Sequence, residues 1–276
     1  SLELAEIKDK ANLPQLKKWK EILTKINKVF REPDFSCNFI FFEQDRKENI
    51  VIRNIPFNVT DKLGEILSQN KSFKIIDENF LEIPKEMKRI EAQNKLENIA
   101  VRVVDGLDAR KKHKIIDFIK KNSTASKKAM ILNSKKELEF YTLELKQRGF
   151  NTVSQLTAST GKLEALFEST KDPLLLVTPN MWGKLKCVTQ IEELFMPKIP
   201  FEPPSDAFLV AKGRQFSNSF AALSMPRSIA ILKHLINKLA YPQDQDRQVY
   251  LLDSRITEKS YGKDILEKLK ESYLVN

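Results

Sequence analysis

Cysteine and histidine are scarce here, and that scarcity removes several chemistries at once. Cys37 and Cys187 are the only two cysteines of the 276 residues and stand in no Cys-x-x-Cys spacing. Neither a tetrahedral zinc site nor an iron–sulfur cluster can be assembled from such a pair, and both read as buried free thiols of a reducing compartment. His113 and His234, the only histidines, have no further metal ligand at a recognisable spacing, so no metal site is expected. No Gly-x-Ser-x-Gly elbow offers a hydrolase nucleophile, and the carboxylates alternate with lysines rather than clustering as a metal-dependent nuclease needs. No run of about 18 uncharged apolar residues occurs, and SLELAEIKDK at the start carries no apolar signal core. The expectation is a soluble, cytoplasmic protein with no membrane partner. The first residue is Ser1 rather than Met, so further residues upstream are also expected.

Positive charge, in contrast, is abundant. Forty-seven Lys and Arg against 37 Asp and Glu give a net charge of +10, which makes a polyanion the natural partner. The excess concentrates in Arg110, Lys111, Lys112, Lys114, Lys120, Lys121, Lys127 and Lys128, opposed within that stretch by Asp117 alone. A run of this kind reads either as a solvated helix face or as a surface that tracks phosphates. With 41% hydrophobic residues the chain can bury one large domain and a smaller appendage.

Apolar spacing at Leu16, Trp19, Leu23, Ile26 and Phe30 predicts an amphipathic helix over 13–30, with Pro14 suited to its first turn. The runs FSCNFIFF (35–42) and NIVIRNIPF (49–57), separated by charged residues, predict an antiparallel hairpin. A helix is expected from Thr60 and a buried strand at 71–76, while 77–107 lacks periodicity and reads as a connector. Regular alternation then begins. Helices are expected over 108–121, 135–148, 161–168, 226–239 and 262–273, and strands at 128–133, near 152–155, at 173–178 and at 248–253. Near-continuous apolar strands between helices imply a three-layer α/β lobe with a mostly parallel sheet. The domain reading is a small α+β segment at 1–94 and the lobe at 95–276.

Ser-Thr-Gly-Lys at 159–162 is not a phosphate-binding loop, because Leu156 stands where its first Gly belongs and Leu163 where the magnesium-binding Ser or Thr belongs. The informative signal is the order of three segments: ILNS (131–134) after one strand, LLLVTPNMWG (174–183) after a second, and MPKIPFEPPSD (196–206) followed by YLLDSRITEKSYGKDIL (250–266). This succession resembles the C-terminal helicase lobe of the DinG/XPD family of DNA helicases. In that family a strand ends in Thr-Ser, another in Gly-Thr before Phe-Trp-Glu-Gly-x-Asp, a Leu-Pro-Phe-x-Pro-Pro-Ser-Asp loop follows, and Leu-Asp-x-Arg with Tyr-Gly closes the lobe. The resemblance covers about 95–276, and more faintly 35–81. It implies a RecA-like lobe, an ATP-dependent helicase relative, and single-stranded or forked DNA as partner.

Three departures bear on activity. The family helix carrying Gln-Gly-x-Gly-Arg-x-x-Arg, whose arginines stabilise the ATP phosphates, aligns with His234 through Tyr241. Lys238 and Tyr241 stand at the arginine positions and His234 at the Gln position. Trp-Glu-Gly-x-Asp has become Trp182-Gly183-Lys184-Leu185-Lys186, and Thr-Ser-Ala-Thr-Leu is replaced by Asp77-Glu78-Asn79-Phe80-Leu81. Lysine lacks the bidentate fork of arginine, and tyrosine lacks its charge as well. No catalytic residue is therefore intact, and ATP with magnesium is expected only if an upstream lobe supplies a P-loop. The candidate nucleic-acid contacts are Ser134, Thr178, Lys184 and Lys186, Trp182 as a stacking aromatic, and the stretch Arg110, Lys111, Lys112 and Lys114, whereas Tyr250 reads as a packing residue. Three functions stay open: a non-catalytic nucleic-acid-binding lobe, the second lobe of a working helicase, and a helicase-derived protein-interaction module.

Overall fold

The computed structural model describes residues 20–24, 38–44, 50–56 and 95–276. Of the helix expected over 13–30, residues 20–24 are helical. The helix from Thr60, the strand at 71–76, the altered segment 77–81 and Cys37 lie outside the described residues. Two compact units divide the chain, one made of 1–73, 84–86 and 205–215 and the other of the rest. In the first, β1 (Asn38–Gln44) and β2 (Ile50–Pro56) pair antiparallel from Asn38 opposite Pro56 to Gln44 opposite Ile50, which is the expected hairpin.

The second unit is built on a seven-stranded sheet of order β5-β6-β4-β7-β8-β3-β9. Its strands are β3 (Leu96–Val103), β4 (Lys128–Ile131), β5 (Asn151–Ser154), β6 (Pro173–Val177), β7 (Glu193–Met196), β8 (Arg247–Leu251) and β9 (Tyr273–Val275). Every pairing is parallel. Helices cover both faces, because a parallel sheet must cross over between consecutive strands.

Alternation along each strand sorts the core in two. Met130, Leu174, Leu176, Phe195 and Tyr250 face α1 (Lys112–Asn122) and α2 (Lys135–Gln147), which bring Ile115, Ile116, Ile119, Leu138 and Leu145. Ala129, Ile131, Leu175, Val177, Leu194, Val249 and Leu251 face α3 (Thr160–Ser169), α4 (Met225–Asn237) and α5 (Ser260–Lys270), whose contributions include Leu163, Phe167, Leu232, Leu235, Ile236, Ile265 and Leu269. The three-layer α/β lobe is thus as expected, with the sheet wholly rather than mostly parallel. Residues 95–107, read as connector, instead contain β3, which lies beside β8 in the sheet. The strands β7 and β9 also went unforeseen.

Candidate nucleic-acid interface at the carboxyl edge of the sheet

Parallel strands deliver all their C-terminal ends to one edge. The chain leaves β4 toward the face covered by α2, whereas the connection after β7 leads to α4 on the other face. Such a divergence is where α/β sheets open a ligand crevice. Here Asn133 spans it, donating from Nδ2 to the Ile199 carbonyl at 3.0 Å and the Lys198 carbonyl at 3.4 Å. Its Oδ1 is buried and accepts nothing among the described residues. Ser134 caps α2, its hydroxyl accepting from the Glu137 N–H at 3.2 Å, while the Glu137 carboxylate accepts from the Asn133 N–H at 3.1 Å.

A second clasp holds the proline-rich loop on the same edge. Asp253, 3% exposed just beyond β8, accepts from the Ile199 N–H at 2.9 Å. Arg255 forks onto the same carboxylate, with Nε at 2.9 Å from Oδ1 and Nη2 at 2.6 Å from Oδ2. The guanidinium lies 5.2 Å from the Phe201 ring centroid, and Phe201 meets Tyr261 edge-on at 5.8 Å. Gly262 follows because its α-carbon passes against the Ile256 carbonyl, leaving no room for a side chain. The residues that resemble the family's closing signature therefore position the loop and the last helix.

The basic run divides between two ends of α1. Arg110, Lys111, Lys112 and Lys114 stand at the carboxyl edge, because α1 follows β3. Lys120 and Lys121 lie about 12 Å further along the helix, toward the opposite edge. Lys111 and Lys114 are exposed, and α1 has no acidic residue in its first turn. Lys112 is half-buried, its ammonium 4.4 Å from the Phe140 ring centroid. Arg110 is an exposed cation paired with Asp108 at 3.0 Å. The hydrogen bonds from the Arg110 backbone N–H and guanidinium hold the Asp108 carboxyl below its ordinary value. Lys135 and Lys136, exposed in the first turn of α2 beside Ser134, extend this rim.

The remaining candidates scatter. Thr178 lies on the edge, its N–H and hydroxyl both donating to Gln155 Oε1, at 2.8 and 3.2 Å. Trp182 is not a stacking platform: it is 0% exposed, and its indole N–H donates to the Leu235 carbonyl at 3.0 Å. Burying an indole with a satisfied N–H is a packing solution, and no base can reach the ring. Lys184 and Lys186 are exposed, but they lie on a segment descending from Thr178 away from the edge, where the Lys186 N–H meets the Glu164 carboxylate of α3.

His234 and Tyr241 are exposed near the end of α4, Tyr241 at 66%. Lys238 between them is engaged, its ammonium donating to the Gly183 carbonyl at 2.5 Å and the Trp182 carbonyl at 3.4 Å. Asn133, Lys135 and Lys136 were missed from the sequence. Their signal was present in ILNSKK, where a strand ends in polar residues that open a helix. Among the described residues no group of three or more His, Cys, Asp or Glu is placed to hold a metal, and no helix is long and apolar enough to cross a membrane.

No protein-family model matches the chain, and no curated protein matches it in sequence. Among solved structures it is similar to "Structure of S. tokodaii Xpd4", with a TM-score of 0.55 and 18% identity over 83% of this chain and 49% of that one. It also matches "XPD_Helicase" (TM-score 0.47, 15% identity, 64% of this chain and 35% of that). A third match is "Mss116p DEAD-box helicase domain 2 bound to an RNA duplex" (0.40, 14%, 63% and 61%). The chain thus spans less than two thirds of the length of each of these proteins. The first likeness is one of fold: an α/β RecA-like lobe with a seven-stranded parallel sheet.

Proposed function

We propose that this chain is a helicase-type lobe of the DinG/XPD kind that binds single-stranded DNA along the carboxyl edge of its sheet and does not itself hydrolyse ATP. The observation that carries the reading is the meeting, at one edge, of the Arg110–Lys114 rim with the helix openings at Lys112 and Ser134. Backbone N–H groups at helix starts and lysines around them hold phosphates without reading bases. Thr178 adds a hydroxyl on the same edge. Lys238, which stands where the family resemblance places an arginine finger, is spent on the carbonyls of Trp182 and Gly183.

The test is fluorescence anisotropy of a labelled oligothymidine across a salt series. Lys111→Glu with Lys114→Glu should weaken binding and flatten the dependence of log affinity on log salt by about 1.4, or about 0.7 per lost contact on a single strand. Lys184→Glu with Lys186→Glu should do less. Lys268→Glu with Lys270→Glu, on a helix end where both lysines already pair with glutamates, should do least. Equal losses in all three would mean that affinity follows net charge alone, and the edge would be abandoned as a site.

A further inference from the structure

At the opposite, amino edge of the sheet lies a groove of about 640 Å³, lined among others by Lys127, Gln190, Glu192, Gln245, Asp246 and Arg247. Its size is within the range of small-molecule sites. Arg247 opens β8 and is 1% exposed, an unusual place for a guanidinium. Its Nη2 donates to the Thr189 carbonyl at 2.6 Å and to Gln245 Oε1 at 2.5 Å, both neutral acceptors. Its Nε is buried and donates to nothing among the described residues. Among the described residues no carboxylate comes within ion-pair distance of it. Glu192, which shares the groove, is turned instead to Ser126, accepting from its hydroxyl at 2.7 Å and its N–H at 3.4 Å. A buried cation without a counter-charge is costly, and the cost falls when an anion pairs with it. Burial pulls the Arg247 pKa down, opposed only by Glu192 and Asp244 acting through space.

We propose that this groove binds a small oxyanion, the carboxylate or phosphate of a low-molecular-weight ligand, on Arg247, with Lys127 as the second cation. The carboxylates of Glu192 and Asp246 in the same lining disfavour dianions, so a carboxylate or the monoanionic form of a phosphate is the preferred occupant. Nucleic acid at the far edge is not involved, and the two sites fail or stand separately.

The Arg247 Nε–H group reports directly on occupancy. Its proton–nitrogen cross-peak, assigned by its loss in Arg247→Lys, would be followed while sodium acetate, inorganic phosphate or sodium chloride is added to the whole chain at a constant ionic strength of about 0.15 M. A saturable shift with acetate or phosphate but not chloride is expected, with a midpoint of about 1 mM or tighter, and the tighter arm names the source. In Lys127→Met that midpoint should rise about fivefold, a change that needs no substitution at the buried arginine. Unsaturated shifts of equal size with all three salts would overturn the proposal, as would a response confined to oligothymidine.

Discussion

Replacing Gly262 by Ala adds one methyl group at a point where the chain has closed on itself. An ideal Cβ there would lie 1.9 Å from the Ile256 carbonyl oxygen, 2.5 Å from its carbon and 2.8 Å from its Cα. Ordinary contact begins at about 3.5 Å, so the first turn of α5 must retreat by roughly 1.6 Å from the turn at Arg255–Glu258. The obstacle is backbone, and no rotamer change relieves it. The retreat also draws on Ile265 and Leu269, both 0% exposed, and on Tyr261, which packs on Phe201. Overpacking that side chains can absorb costs about 1–3 kcal/mol, and a backbone obstacle places this substitution at or above the top of that range. Against a total of about 5–15 kcal/mol, the urea midpoint should fall clearly at constant slope. Gly161→Ala is the matched control, because Gly161 lies within α3 and the added carbon would meet nothing within 4 Å beyond its chain neighbours and the adjoining backbone of its own helix. It should stabilise by about 0.4–1 kcal/mol through helix propensity and a stiffer unfolded chain. A loss below about 1 kcal/mol for Gly262→Ala, or equal effects of the two, would refute the close-approach reasoning.

Trp182→Phe should cost about 1–3 kcal/mol in chemical denaturation, because the buried Leu235 carbonyl loses its donor, and should leave oligothymidine affinity unchanged. A fall in affinity at unchanged stability would return Trp182 to the binding surface. Burial pushes the Cys187 thiol up to about 11, so the thiolate stays on the order of a thousandth of the population at pH 8. In a Cys37→Ser background, labelling with a thiol-reactive disulfide should therefore wait for denaturant and accelerate about tenfold per pH unit up to that value. Rapid native labelling at pH 7 would contradict the packing around Cys187. Lys238→Arg with Tyr241→Arg should yield no phosphate release from this chain with ATP, magnesium and single-stranded DNA, and release well above a mock preparation would overturn the non-catalytic reading.

Most of the lobe was legible because its strands alternate between two apolar faces. KAMI and PLLLV announce themselves as buried on both sides, and their helices carry apolar residues at three- and four-residue spacing. β3 was hidden by the charges of LENIAVRV, whose Glu97 and Arg102 are tolerated while Ile99 and Val101 are fully buried. In β7, ELFM begins with a glutamate that reads as solvent-facing. Glu193 is in fact buried, because the Ser123 hydroxyl and the Thr124 N–H satisfy it at 2.5 and 3.4 Å. Such partners lie some 70 residues away and leave no local trace. The carboxyl edge was legible for the same reason as the strands, since residues that follow them in sequence must share it. What Trp182 and Lys238 touch was not, because each is claimed by an element that sequence spacing does not connect to it.

β8 is braced at both ends to the chain that runs through β7. Arg247 at its start grips the Thr189 carbonyl ahead of β7, and Asp253 past its end grips the Ile199 N–H beyond it. A slip of either strand by one residue would break both grips and turn every inward side chain outward. The central pair is therefore pinned against sliding at both of its ends, beyond what its ladder of backbone bonds supplies.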